Sequence, residues 1–253
     1  MSDVQSMSSR LSLIGRRNAI GAAFLLLTCS LGAQTRVWDG LYGQTGIVHI
    51  PVAGLQLDRE LTLGGQYIPS GLAHLRYAQK EQVGEYTVFA RLGFLPWAEV
   101  SIRLVHPERR DFGIGDRSIF LKINALRERQ WVPALSVGIY DPMGTQLLPA
   151  SFVVASKTIS AGHYLSVRAT AGYGGKWVGG REDYLILGWF GGAEVGPLHP
   201  PQGWWPSWSV GSEIHDSRIN LVGRLSLRSF LRAQVLLADF RHLAGGISGT
   251  IRL

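Results

Sequence analysis

From Ala98 to Val105 the chain reads AEVSIRLV, with Ala98, Val100, Ile102 and Leu104 on one strand face and Glu99, Ser101 and Arg103 on the other. Strict alternation of this kind requires a sheet with one apolar and one polar face. It does not suit a helix, whose apolar stripe repeats every three to four residues. The pattern returns at Ser118–Leu126, Tyr164–Ala171, Ile219–Arg228 and Ile247–Leu253. Across the chain it marks about twelve candidate strands, near 60–68, 86–94, 98–105, 118–126, 134–141, 151–159, 163–172, 184–195, 207–215, 218–228, 231–240 and 245–253. The 46% hydrophobic content is spread through these short runs, and 32 Gly and 11 Pro punctuate them.

A strand that is greasy on one face hides it against a second sheet or against lipid. The first solution is a secreted β-sandwich and the second an outer-membrane barrel. The N-terminus favours the second. Arg10, Arg16 and Arg17 precede the apolar run Ala19–Ala33, and Gly32-Ala33 offers small residues for cleavage, so residues 1–33 read as a signal peptide. The run is shorter than a spanning helix needs. The residues after Arg16-Arg17 fit a twin-arginine signal poorly, which leaves the general secretory route. Thr28 before Cys29 is unlike a lipoprotein signal. Cys29 is the only cysteine, so the exported chain holds no disulfide or thiol nucleophile. Cleavage takes three arginines and one aspartate from a net charge of +7 and leaves +5. That moderate excess suits anionic glycans or lipid headgroups, and without a Lys/Arg-rich run it gives no reason to expect nucleic acid.

The expected fold is therefore all-β: an antiparallel transmembrane outer-membrane β-barrel of about twelve strands, in the cell outer membrane of a Gram-negative bacterium. The expected organisation is a signal peptide at 1–33, an N-terminal periplasmic segment at 34–59 and the barrel domain at 60–253. Connections alternate between short turns, as at Leu95-Pro96-Trp97, and longer loops, as at Pro69–Glu85. Gly196–Pro206 breaks this rule by being long on the short-turn side. Arg91–Leu104 also aligns without gaps on Arg224–Leu237, each reading as strand, aromatic turn, strand.

With the apolar faces on lipid, the polar faces line the lumen. The basic residues expected there are Arg91, Arg103, Lys122, Arg168, Arg224, Arg228 and Arg232. They outnumber the acidic ones, which points to an electropositive lumen able to guide an anionic polymer; the alternative is that these side chains fill and cross-link a narrow barrel.

No catalytic motif stands out. Gly-x-Ser-x-Gly and P-loop elements are absent from the sequence, and the glycines around Trp177 precede no helix. Glu213 and His215 share a strand face but lack a second ligand cluster, so neither a metal nor another cofactor is expected, and the chain is read as a non-enzyme.

Several stretches together resemble the YjbH-like family of outer-membrane proteins linked to exopolysaccharide production. They include Gly40–Pro51 (GLYGQTGIVHIP) running on to Ala53, Phe94–Glu99, Gly115–Ser118 and above all Trp131–Lys157 (WVPALSVGIYDPMGTQLLPASFVVASK). The resemblance covers most of residues 40–253. It implies a barrel that supports exopolysaccharide secretion or surface assembly, with outer-membrane lipid, anionic polysaccharide and export-machinery proteins as partners. The competing function is a general solute pore or a structural barrel without a glycan role.

Overall fold

A computed structural model describes residues 37–73, 82–109, 113–143, 145, 147–178, 184–198, 206–227 and 230–253. Twelve strands follow one another: β1 (Glu60–Ile68), β2 (Glu85–Leu95), β3 (Ala98–Pro107), β4 (Asp116–Leu126), β5 (Ala134–Tyr140), β6 (Ala150–Ala161), β7 (Leu165–Gly175), β8 (Gly188–Pro197), β9 (Ser207–His215), β10 (Arg218–Leu227), β11 (Leu231–Ala238) and β12 (His242–Arg252). Each pairs antiparallel with its sequence neighbours, and β1 pairs with β12 from Glu60↔Arg252 to Tyr67↔Gly245, so the sheet closes on itself. Closure removes the unpaired edges that lipid would not tolerate.

The faces follow the alternation. In β3, Ile102 and Leu104 are exposed while Glu99, Ser101 and Arg103 are buried. Around the ring Leu63, Val88, Ile119, Val210, Leu225, Val235 and Ile247 likewise face outward. Polar inside and apolar outside is the reverse of a water-soluble protein, and it excludes the sandwich, which would bury these faces between two sheets. Aromatic residues stand exposed at both ends of the strands. Trp97, Trp131, Tyr164 and Phe230 lie at one end, and Tyr86, Tyr173, Trp189 and Phe240 at the other. Two such belts mark the levels of the lipid headgroups. Among the described residues, no helix is long and apolar enough to cross a membrane.

A charge placed on this outer face meets hydrocarbon. Replacing Ile102, which is 51% exposed midway along β3, with Arg is expected to cost about 2–4 kcal/mol. The measurement is the denaturant midpoint for folding into lipid vesicles.

The belt holding Trp97 and Phe230 is the short-turn end, where both ends of the strand series also lie. The opposite, long-loop end carries the connections 69–84, 108–115, 141–149 and 176–187. The long connection after β8 does fall at the short-turn end, and the count of twelve holds without an added strand. Its residues 199–205 lie outside the described residues, as do 1–36 with the expected signal peptide.

The strand start that shifts most is that of β8, which begins at Gly188 rather than residue 184, while β2, β4, β6, β7 and β12 start within three residues of the expected positions. Gly188 takes a left-handed φ of 80°, and Leu185 and Ile186 before it are both buried in the interior apolar cluster. The repeat between Arg91–Leu104 and Arg224–Leu237 reappears as pairing. Arg91↔Ser101 in the β2–β3 hairpin and Arg224↔Gln234 in the β10–β11 hairpin occupy equivalent registers.

Candidate functional site in the barrel lumen

The segment expected as a periplasmic stretch at 34–59 is instead packed inside the ring from Val37 to Gln56, almost every residue buried. Bridges join Asp39 to Thr45 and Gly46 to Pro51, so the segment reverses twice, around Tyr42-Gly43 and around His49. Gly43 makes the first reversal possible. Its φ is 81°, and a Cβ there would stand 2.7 Å from the Phe89 side chain. Arg59 fixes the exit at the short-turn end, donating its N–H to Gly93 O at 2.8 Å and accepting from Leu253 N at 2.7 Å. Residues 37–56 thus form a plug threaded into the lumen.

Apolar and polar grips hold it. Leu41, Ile47, Val48, Ile50 and Val52 join wall residues Ile68, Phe120, Phe152, Phe190, Val222 and Leu236 in one buried cluster. Each such side chain contributes on the order of 1.5–3 kcal/mol when removed from water. The wall makes room for them with small residues. A Cβ on Gly192 of β8 would lie 2.7 Å from Ile47 Cδ1.

Among the polar grips, Glu213 of β9 holds three consecutive plug residues. It accepts consecutive backbone N–H groups from Val48 (2.8 Å), His49 (2.8 Å) and Ile50 (3.1 Å). Asn220 Nδ2 donates to it at 2.9 Å, and His49 Nδ1 lies 3.0 Å away. Successive amides converging on one carboxylate form an anion nest, here with the plug as donor and the wall as anion. Lys122 of β4 does the converse. Its Nζ donates to Val52 O (2.9 Å), Gly54 O (2.8 Å) and Thr45, and pairs with Glu99 at 3.1 Å. Glu99 itself accepts from Thr45 Oγ1 at 2.7 Å and Gln56 N at 2.6 Å.

Arg224 of β10 donates to Ile47 O and to Gly46 O (3.0 Å), and to Glu194 at 2.8 Å. Arg91 of β2 donates to Asp39 of the plug, to Gly43 O (3.0 Å) and to Gln56 Oε1 (2.9 Å). Arg232 of β11 donates to Val37 O at 3.2 Å and stands 3.7 Å from Asp39. Ser248 of β12 donates to the other Asp39 oxygen. Burial alone would raise the Asp39 carboxyl, but Arg91, Arg232 and the Ser248 hydroxyl together hold it below its ordinary 3.8.

Of the basic residues expected from the alternation, Arg91, Arg103, Lys122, Arg168, Arg224 and Arg232 are buried, and Arg228 lies outside the described residues. What they face is the chain's own plug. Arg91, Lys122, Arg224 and Arg232 bond it directly, and Arg103 stacks on plug Tyr42, its Cζ 5.0 Å from the ring, while pairing with Asp116 at 2.9 Å. Arg168 turns to Glu194 on the wall, 3.9 Å away. Against these six cations stand the buried strand carboxylates Glu85, Glu99, Asp116, Glu194 and Glu213, together with Asp39 of the plug. Among the described residues the plug occupies the lumen, whose buried cations face a comparable number of buried carboxylates. The Glu213–His215 pair is also accounted for, since Glu213 is taken up by the plug. Among the described residues no group of three or more His, Cys, Asp or Glu is placed to hold a metal.

A family described as YjbH, exopolysaccharide biosynthesis protein YbjH, matches residues 40–185, more than half of the sequence. The chain belongs to the YjbH family. The matched region begins inside the plug, at Gly40, and runs through β7. The uncharacterized lipoprotein YjbH of Escherichia coli (strain K12) is 26% identical over 126 residues, which is 46% of this chain and 16% of that protein. The matched stretch thus spans about a sixth of that relative. Among solved structures, the KdgM porin in complex with disordered oligogalacturonate is similar with a TM-score of 0.51 at 7% identity, covering 77% of this chain and 99% of that one. The KdgM porin has a TM-score of 0.48 at the same identity and coverage. These are likenesses of fold.

The plug is the element of the lumen that alternation does not reveal. Its signal in the sequence is compositional. Val37–Leu57 holds one charged residue, Asp39, among apolar residues and glycines. A stretch so poor in charge is poorly suited to solvent and well suited to burial.

Proposed function

We propose that this barrel supports exopolysaccharide secretion or surface assembly at the outer membrane, and that residues 37–56 act as its gate. The observation that carries the gate is the plug itself, seated across the lumen on Glu213, Lys122, Arg224 and Arg91. Passage of any solute requires it to move. Membership of a family described by exopolysaccharide biosynthesis supports the glycan role. The fold's likeness to a porin solved with oligogalacturonate supports a saccharide as the solute. An always-open general pore fits poorly with a filled lumen. A structural barrel with a permanent plug is the second reading, favoured by the number of plug-to-wall hydrogen bonds.

A lockable plug separates the two. The side chains of Asp39 and Ser248 touch, so D39C/S248C brings two thiols together across the plug–wall contact. In a strain dependent on this protein for surface exopolysaccharide, the oxidised variant is expected to lose most of the secreted polymer and to regain it on adding a reductant. Equal secretion in both states would support the permanent plug.

A further inference from the structure

Strands β10, β11 and β12 carry no acidic residue, and β1 and β2 carry only Glu60 and Glu85, one near each mouth. Between those mouths, the inward side of this five-strand arc presents Arg224, Arg232 and Arg91 among Gln234, Ser248, Thr250, Thr62 and Gln66. The buried carboxylates on the strands beyond the arc are already engaged, Glu213 of β9 by the plug amides of Val48, His49 and Ile50. Glu99 pairs with Lys122 at 3.1 Å, and Glu194 is shared by Arg224 at 2.8 Å and Arg168 at 3.9 Å. Arg91 and Arg232 thus meet their carboxylate in Asp39, which the plug delivers and whose second oxygen Ser248 holds. Two guanidinium groups and a hydroxyl around both oxygens of one carboxylate make a built anion site, of the kind arginine serves best.

We infer that Arg91, Arg232 and Ser248 form a carboxylate-binding site in the barrel wall, held in the resting protein by the chain's own Asp39 and given to the carboxylate of an acidic saccharide when the plug withdraws. The inference rests on the movable plug proposed above and adds the chemistry of what replaces it. The plug acts as an intramolecular competitor. It covers the arginines until a solute of matching charge displaces it, so an uncharged sugar gains no purchase. Taking the Asp39 carboxylate away from the buried Arg91 and Arg232 guanidinium groups is costly, which couples plug departure to arrival of the solute carboxylate.

The test uses the purified full chain in detergent micelles, with sodium glucuronate and glucose as probes and calorimetric titration as the readout. Asp39→Asn removes the competing charge while keeping its shape, and it is expected to bind glucuronate at least about tenfold more tightly than the unaltered chain, a difference of about 1.4 kcal/mol. Glucose is expected to bind neither. Adding R91Q and R232Q to D39N is expected to abolish glucuronate binding. Heat-dependent mobility on a denaturing gel establishes that each variant has folded, and Asp39→Ser takes the place of Asp39→Asn if the latter does not fold. Absence of glucuronate binding by the Asp39 variant, equal binding by variant and unaltered chain, equal binding of glucose, or binding that survives the loss of both arginines would each overturn the site. The outcomes also separate this site from the gate. Secretion that responds to the D39C/S248C lock without glucuronate binding overturns the site alone, and binding without a response to the lock overturns the gate alone.

Discussion

Deletion of residues 37–57 is expected to convert a silent barrel into a conducting one. In planar lipid bilayers the full chain should give a flat baseline and the deleted chain discrete current steps. The reason is geometric. Barrels of eight strands are filled by their own side chains and those of sixteen enclose an aqueous channel, so twelve strands leave a space that the wall alone does not fill. Here the inward positions include Gly64, Gly192, Gly211 and Gly246, of which Gly192 and Gly211 lie against Ile47 of the plug, and Ser and Thr line much of the rest. Without the plug these small residues leave a water-filled bore edged by arginines. Selectivity should then favour anions, because Asp39 leaves with the plug while Arg91 and Arg232 stay. The strand pairing does not involve residues 37–57, so the deleted barrel should keep its heat-dependent mobility. A folded barrel that stays silent would mean that the long inward side chains collapse across the gap.

The second large effect belongs to Glu213. Substituting Ala leaves the amides of Val48, His49 and Ile50, and the Asn220 side chain, facing the place of a carboxylate they all approach within 3.1 Å. Breaking a buried charged cluster by removing one partner costs about 3–5 kcal/mol. That cost should fall on the plug rather than on the barrel, because the β9 backbone ladders to β8 and β10 are untouched. The expected result is amide hydrogen exchange at Val48–Ile50 faster by roughly a hundred- to several-thousand-fold, with the protection of β9 and β10 amides retained. Uniform loss of protection across the barrel would instead make Glu213 a structural support of the whole fold.

Much of the barrel was legible because a strand states its own faces. Ile102 and Leu104 against Glu99 and Arg103 are sorted by a period of two whatever surrounds them. Where the sheet is lipid-facing the apolar face stays outward, so the same residues predicted the lumen-facing arginines. The repeat of Arg91–Leu104 at Arg224–Leu237 carried the hairpin register for the same reason. Alternation failed where the chain leaves the sheet. Leu185 and Ile186 are consecutive and both buried, a pattern with no strand face, and in sequence such residues beside a strand end look like its continuation.

The plug marks the boundary between the two kinds of information. Local sequence determined the all-β character, the twelve strands and which side chains point inward, since each depends on steric alternation over a few residues. Only the tertiary structure decided what those inward side chains meet. The contacts of Glu213 with Val48–Ile50, and of Ser248 with Asp39, join residues more than a hundred and sixty positions apart. A buried arginine reads the same in sequence whether it borders water, a polymer or a folded segment of its own chain. Its partner is chosen by the free energy of filling one closed space, and that space exists only once β1 has met β12.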